Sequence, residues 1–136
     1  MAELTTTAAS ISLRSGNNPK LIKYGETIVP PQPVYLKAAD SKYYAGDANV
    51  STAEAAVTQI AMTPGVADEY GVGVTIGDID IGATTVVGET YILGAAKGWA
   101  PAGDYVATWY KTILGTASDT VGTVTLDIKA TGQVKA

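Results

Sequence analysis

The chain has 136 residues, enough for one compact domain, with a net charge of −4 and an apolar fraction of 46 %. It contains no Cys and no His, which excludes disulfides, thiol chemistry, Cys/His zinc sites, imidazole-based triads and a histidine pH switch. Its acidic balance and single Arg (Arg14) leave no electrostatic footprint for nucleic acid. The apolar residues are small or β-branched: 21 Ala and 13 Val beside 18 Thr and no Phe, a set suited to pleated strands punctuated by glycine. The opening Met1-Ala2-Glu3 lacks the basic and apolar regions of a secretory signal. No segment reaches the ~20 apolar residues of a membrane span. The expectation is a soluble, non-secreted, all-β domain.

Residues 1–33 differ from the rest. Thr5-Thr6-Thr7-Ala8-Ala9-Ser10 is small and polar, Ile11 and Leu13 alternate with Ser12 and Arg14 as in a short edge strand, and Ser15-Gly16-Asn17-Asn18-Pro19 is loop-forming. Leu21-Ile22-Lys23-Tyr24 is a short apolar patch, and Pro30, Pro31 and Pro33 impose an extended, polyproline-like stretch. The region reads either as an extended N-terminal arm, too poor in large apolar groups to fold alone yet carrying enough to need a partner surface, or as a partly disordered terminus. Leu21, Ile22, Tyr24, Pro30, Pro31 and Pro33 are its candidate partner-binding residues.

The all-β body spans residues 34–136. Val34-Tyr35-Leu36-Lys37, the turn Ala39-Asp40-Ser41-Lys42 and Tyr43-Tyr44-Ala45 read as a hairpin. Ser51 and Glu54 have the spacing of a capping box on one helical turn over 51–56. A strand over 57–62 stops at Thr63-Pro64-Gly65. Tyr70, Val72, Val74 and Ile76 then alternate with Gly71, Gly73 and Thr75, after which Ile79 and Ile81 become the apolar positions. That one-residue change of phase exchanges the two faces and predicts a turn or bulge at Gly77-Asp78. Further strands are expected at 84–87, 90–93, 105–114 and 123–130. Eight or so short strands with turns between them predict a single β-sandwich or β-barrel, jelly-roll-like in plan, with no substantial helix.

Charge divides unevenly. Residues 1–42 carry five basic and three acidic groups, whereas residues 43–96 carry seven carboxylates and no Lys or Arg. A weakly basic arm on an acidic body suits electrostatic steering of subunits or partners.

Little in this pattern points to chemistry. Asp78 and Asp80 share one strand face near Asp68 and Glu69, but lack the spacing of a calcium loop and read as a solvated acidic face. Gly71, Gly73 and Gly77 are followed by an acidic strand, not by the helix a phosphate loop requires. Asn49-Val50-Ser51 matches a glycosylation sequon, without the secretory context to use it. Trp99, Trp109, Tyr105 and Tyr110 are assigned to the core or a subunit interface, since no Phe is present to supply bulk. No catalytic residue, metal site or cofactor is expected.

From residue 35 to 132 the sequence resembles the small decoration, or cement, proteins of tailed-phage heads. The likeness lies in Lys37-Ala38-Ala39-Asp40-Ser41-Lys42-Tyr43-Tyr44-Ala45-Gly46-Asp47-Ala48, Ile60-Ala61, Gly88-Glu89-Thr90-Tyr91-Ile92-Leu93, Gly98-Trp99-Ala100-Pro101, Leu114-Gly115-Thr116-Ala117 and Ala130-Thr131-Gly132. Gln59 departs from it by standing where a glycine is expected before Ile60. The resemblance implies a barrel or sandwich made in the host cytoplasm that binds the outer surface of the assembled head. It further implies a homotrimer that bridges subunits of the major capsid protein, with no nucleic-acid or membrane partner. Two other readings are a virion-displayed carbohydrate-binding or host-attachment module, using Trp99 with Tyr105 or Trp109, and a carboxylate hydrolase using Asp78, Asp80 or Glu69.

Overall fold

The computed structural model describes residues 11–94, 98–104 and 109–134. Among these, two antiparallel sheets pack face to face as an all-β sandwich. The larger sheet has the order β1 (Ile11–Ser15), β7 (Ile76–Ile81), β11 (Thr123–Val134), β10 (Tyr110–Ala117), β8 (Thr90–Leu93) and β9 (Trp99–Pro101). The smaller has the order β2 (Lys20–Lys23), β6 (Tyr70–Val74), β5 (Gln59–Ala61), β3 (Gln32–Lys37) and β4 (Lys42–Ala45). Helix is confined to α1 (Thr52–Ala55) and a 3₁₀ turn at Ala102–Asp104.

Local signals form as their residues dictate. The β3–β4 hairpin pairs Val34 with Ala45 and Lys37 with Lys42, closed by a bond from Ser41 N to Lys37 O of 2.9 Å. Ser51 caps α1, its hydroxyl accepting from Glu54 N at 3.1 Å. The change of phase after Ile76 has a cause beyond a bulge. At Thr75 the chain leaves the smaller sheet and enters the larger, so β6 and β7 form one ribbon whose apolar side is redefined by the crossing. β2 and β1 run antiparallel beside it, pairing Lys20 with Gly73 and Leu13 with Ile79. Asn18 straps the crossing, its side chain accepting from Thr75 N and Ile76 N and donating to Thr75 Oγ1. The strand expected at 84–87 is absent: those residues form a turn-bearing loop. The strand expected at 105–114 is described from Tyr110, and the last strand runs on to Val134.

The main core lies between the sheets and contains Ile60 and Val74 from the smaller one with Ile79, Ile81, Tyr91, Leu93, Trp99, Leu114 and Val124 from the larger. A second core of Ile22, Tyr24, Ile28, Val34, Ala45 and Ala61 fills the opposite face of the smaller sheet. That sheet curls around Tyr24. Its two edges meet where Tyr24 bridges Tyr43, and Gly25 N donates to Tyr43 O at 2.8 Å.

Residues 11–33, read from the sequence as an arm, are therefore part of the body. They supply β1, β2 and the start of β3, and the partner surface that Ile22 and Tyr24 require is their own chain's second sheet. Residues 1–10 lie outside the described residues. The β6 face was also misleading. Gly71 and Gly73 turn toward the Tyr24 core, while Tyr70 and Ile76 are exposed.

Inside the curled sheet, Gln59 is 5 % exposed and its Oε1 has no hydrogen-bond partner. Gly73 makes room for it, since a Cβ there would lie 2.6 Å from that oxygen. A buried acceptor without a donor costs about 1–3 kcal/mol. Gln59→Met, similar in length and apolar, is expected to raise stability by about 1 kcal/mol, read as a melting temperature some ~4 °C higher in calorimetry.

Candidate functional site

The six residues assigned to partner binding divide sharply. Ile22 and Tyr24 are buried in the second core, and Pro30, Pro31 and Pro33 are buried in the strap that closes it. Tyr24 donates its hydroxyl to Thr63 O at 2.6 Å, and burial pushes its pKa up. Pro31 O accepts from Trp99 Nε1 at 3.0 Å, and Pro33 O accepts from Gly46 N at 2.9 Å. Pro33 fits a central strand because the ladder to β4 begins only at Val34, so its missing N–H is not needed there. These five serve the interior. Leu21 alone is free, at 66 % exposed.

Leu21 belongs to a wider surface. It stands directly opposite Val72, and Lys23 stands opposite Tyr70. Alternation along β6 places Tyr70, Val72 and Val74 on one face. Val74 is buried between the sheets, Val72 is half-buried, and Tyr70 is 61 % exposed with Lys23 Nζ 5.7 Å from its ring centre. The inner face of the smaller sheet thus runs out from beneath the larger one and ends in an open strip of Leu21, Val72 and Tyr70 on edge strand β2 and its neighbour. Beside it, Lys42 and Asp68 form an ion pair of 2.6 Å that holds the β3–β4 hairpin to the 65–69 turn. On the hairpin itself Tyr44 donates to Asp40 Oδ2 at 2.5 Å. That bond pushes the tyrosine pKa up to about 12 and holds the Asp40 carboxyl below its usual range.

The carboxylates named from the sequence sit on the outer face of the larger sheet. Asp78 accepts from Thr125 Oγ1 at 2.7 Å and Asp80 from Thr123 Oγ1 at 2.5 Å, each from the residue opposite on β11. They point the same way from one strand and do not converge across a pocket. Glu69 is used to cap its own turn, its Oε1 accepting from Val66 N at 2.9 Å. Among the described residues no group of three or more His, Cys, Asp or Glu is arranged to hold a metal, and no helix is long and apolar enough to cross a membrane. A cleft of about 380 Å³ opens where the sheets separate, lined by Val57, Thr58, Thr75, Ile76, Leu126 and Ile128 with Asp127. Asp127 lies 3.5 Å from Lys129, and no second carboxylate faces it in the cleft lining to make an acid–base pair.

The aromatic residues assigned to the core or an interface lie in the core where they are described. Trp99 and Trp109 are buried in the main core, Tyr110 is half-buried against it, and Tyr105 lies outside the described residues. The chain matches no family model, no curated protein and no solved structure.

Proposed function

We propose that this protein is a head decoration protein of a tailed phage, binding the outside of the assembled capsid and holding neighbouring major-capsid subunits together. It acts by binding and not by catalysis, as a trimer on the virion surface. The observation that carries this reading is the open Leu21–Val72–Tyr70 strip, an apolar extension of the sandwich interior left uncovered beside an edge strand. Such a strip beside an edge strand suits addition to a neighbouring chain, which gains main-chain hydrogen bonds and side-chain pockets together. Trimeric display multiplies individually weak contacts. The resemblance across residues 35–132 supplies the partner, and the all-β sandwich agrees with the fold it implies.

Purified protein added to parent-phage heads lacking it should sediment with them to a saturable ratio and raise their melting temperature. Leu21→Thr combined with Tyr70→Ser should leave the free protein folded, since both side chains are exposed, and weaken head binding by about tenfold. Wild-type protein that stays in the supernatant at every ratio would overturn the reading.

A further inference from the structure

Two turns at the far end of the larger sheet share an unusual construction. Residues 86–89 close with Glu89 N donating to Val86 O at 2.9 Å, and residues 120–123 close with Thr123 N donating to Thr120 O at 3.0 Å. In each, a glycine with positive φ occupies the third position: Gly88 at 81° and Gly122 at 90°. That geometry demands glycine there, and the position before it normally carries proline or a small polar residue. Here it carries valine both times, Val87 and Val121. They are 55 % and 62 % exposed, and Val86, at the head of the first turn, is 67 % exposed.

The two turns are held side by side. Thr85 is buried and its hydroxyl accepts from Gly122 N at 2.8 Å, so Val86 and Val121 flank a fixed contact. The hydroxyl of buried Tyr91 accepts from Val86 N at 3.1 Å. Gly88 N donates to Ala117 O and Ala117 N to Glu89 O, tying the first turn to the strand that leads into the second. Three β-branched apolar side chains thus stand on a braced base, in a form that loses little freedom on docking. The loops that carry them are acidic. Glu89 and Asp119 lie within the two loops, and no Lys or Arg occurs in residues 43–96 or 112–128.

We propose that this pair of valine turns is a second docking surface, taken up by an apolar patch bordered by Lys or Arg side chains on the major capsid protein. The inference rests on the decoration reading and deepens it. The first strip lies on the smaller sheet and the valine turns at the distal end of the larger, so one subunit touches two capsid neighbours, as bridging requires. The acidic rim guides approach and the valines supply the desolvated contact.

The test is sedimentation with parent-phage heads at low salt and at ~0.5 M salt, where exposed charge pairs are screened. The variant V86T/V87T/V121T keeps β-branched shape in exposed turns and should fold, yet bind heads about tenfold or more weakly. Val121→Lys, which sets a positive charge against a basic rim, should weaken binding at least as much. Wild-type affinity should fall with salt, and E89Q/D119N should fall less. If wild-type protein does not bind heads, the decoration reading and this inference fall together. If wild type binds and both valine variants bind equally well, the docking surface alone is overturned. Salt-independent wild-type binding overturns the basic border.

Discussion

Replacing Trp99 by Ala is expected to remove about 4 kcal/mol of stability and lower the melting temperature by roughly 15 °C. Trp99 is the largest fully buried side chain, it faces Leu93 across the β8–β9 pair, and its indole N–H reaches Pro31 O. Truncation loses the transfer energy of the ring, opens a cavity between closely packed sheets and leaves a buried carbonyl without its donor. A domain of this size holds about 5–15 kcal/mol in all, so the variant gives up a large share of its stability. Trp99→Phe separates the contributions. It keeps most of the volume and should cost about 1–2 kcal/mol, near the value of the lost hydrogen bond. Thermal unfolding followed by circular dichroism checks both, and a fully stable Trp99→Ala would mean that the strap and the main core are not coupled through this residue.

Gly71→Ala is expected to destabilise by about 3 kcal/mol, although it adds a single methyl to an exposed-looking strand. A Cβ at this position would overlap the hydroxyl and ring of Tyr24. The ring has nowhere to go, because it is fully buried, lies against Gly65 as well, and is tethered to Thr63 O. Tyr24→Leu should itself be costly, but in its presence the added methyl should cost far less. The double-mutant cycle should then show a coupling of about 1–2 kcal/mol of opposite sign to the single effects. Additive penalties in chemical denaturation would contradict the close approach.

The sequence made the local elements legible and left the long-range ones hidden. The hairpin over residues 34–45 and the Ser51 cap depend on neighbours a few residues apart, and both stand where the pattern puts them. The change of phase between Ile76 and Ile79 was visible, but its cause, passage from one sheet to the other, depends on pairing with β1, β2 and β11 that no local pattern encodes. The fate of residues 11–33 turned on the same kind of contact. Ile22 and Tyr24 looked unpartnered because their partners, Gly71, Gly73 and Ala61, are too small to announce a core in a hydropathy pattern. Of the candidate contacts, Leu21 is the one that is exposed, and its neighbours Val72 and Tyr70 join it only through strand register. Val86 and Val87 read as strand residues because β-branched apolar pairs usually are. The following glycine at positive φ, repeated at Gly122, was the signal that they cap a turn.

The ribbon that crosses between the sheets has a mechanical consequence. β6 and β7 are covalently continuous through Thr75, and β1 and β2 lie antiparallel beside them along nearly the whole length. Antiparallel ladder bonds lie perpendicular to their strands. Tension applied between the Tyr70 end of one sheet and the Ile81 end of the other therefore runs along the backbone and loads those bonds in shear, many at once, where peeling would break them one at a time. The Leu21–Val72–Tyr70 strip and the valine turns sit near opposite ends of this ribbon, so a load applied between those two surfaces pulls the molecule along its stiffest direction.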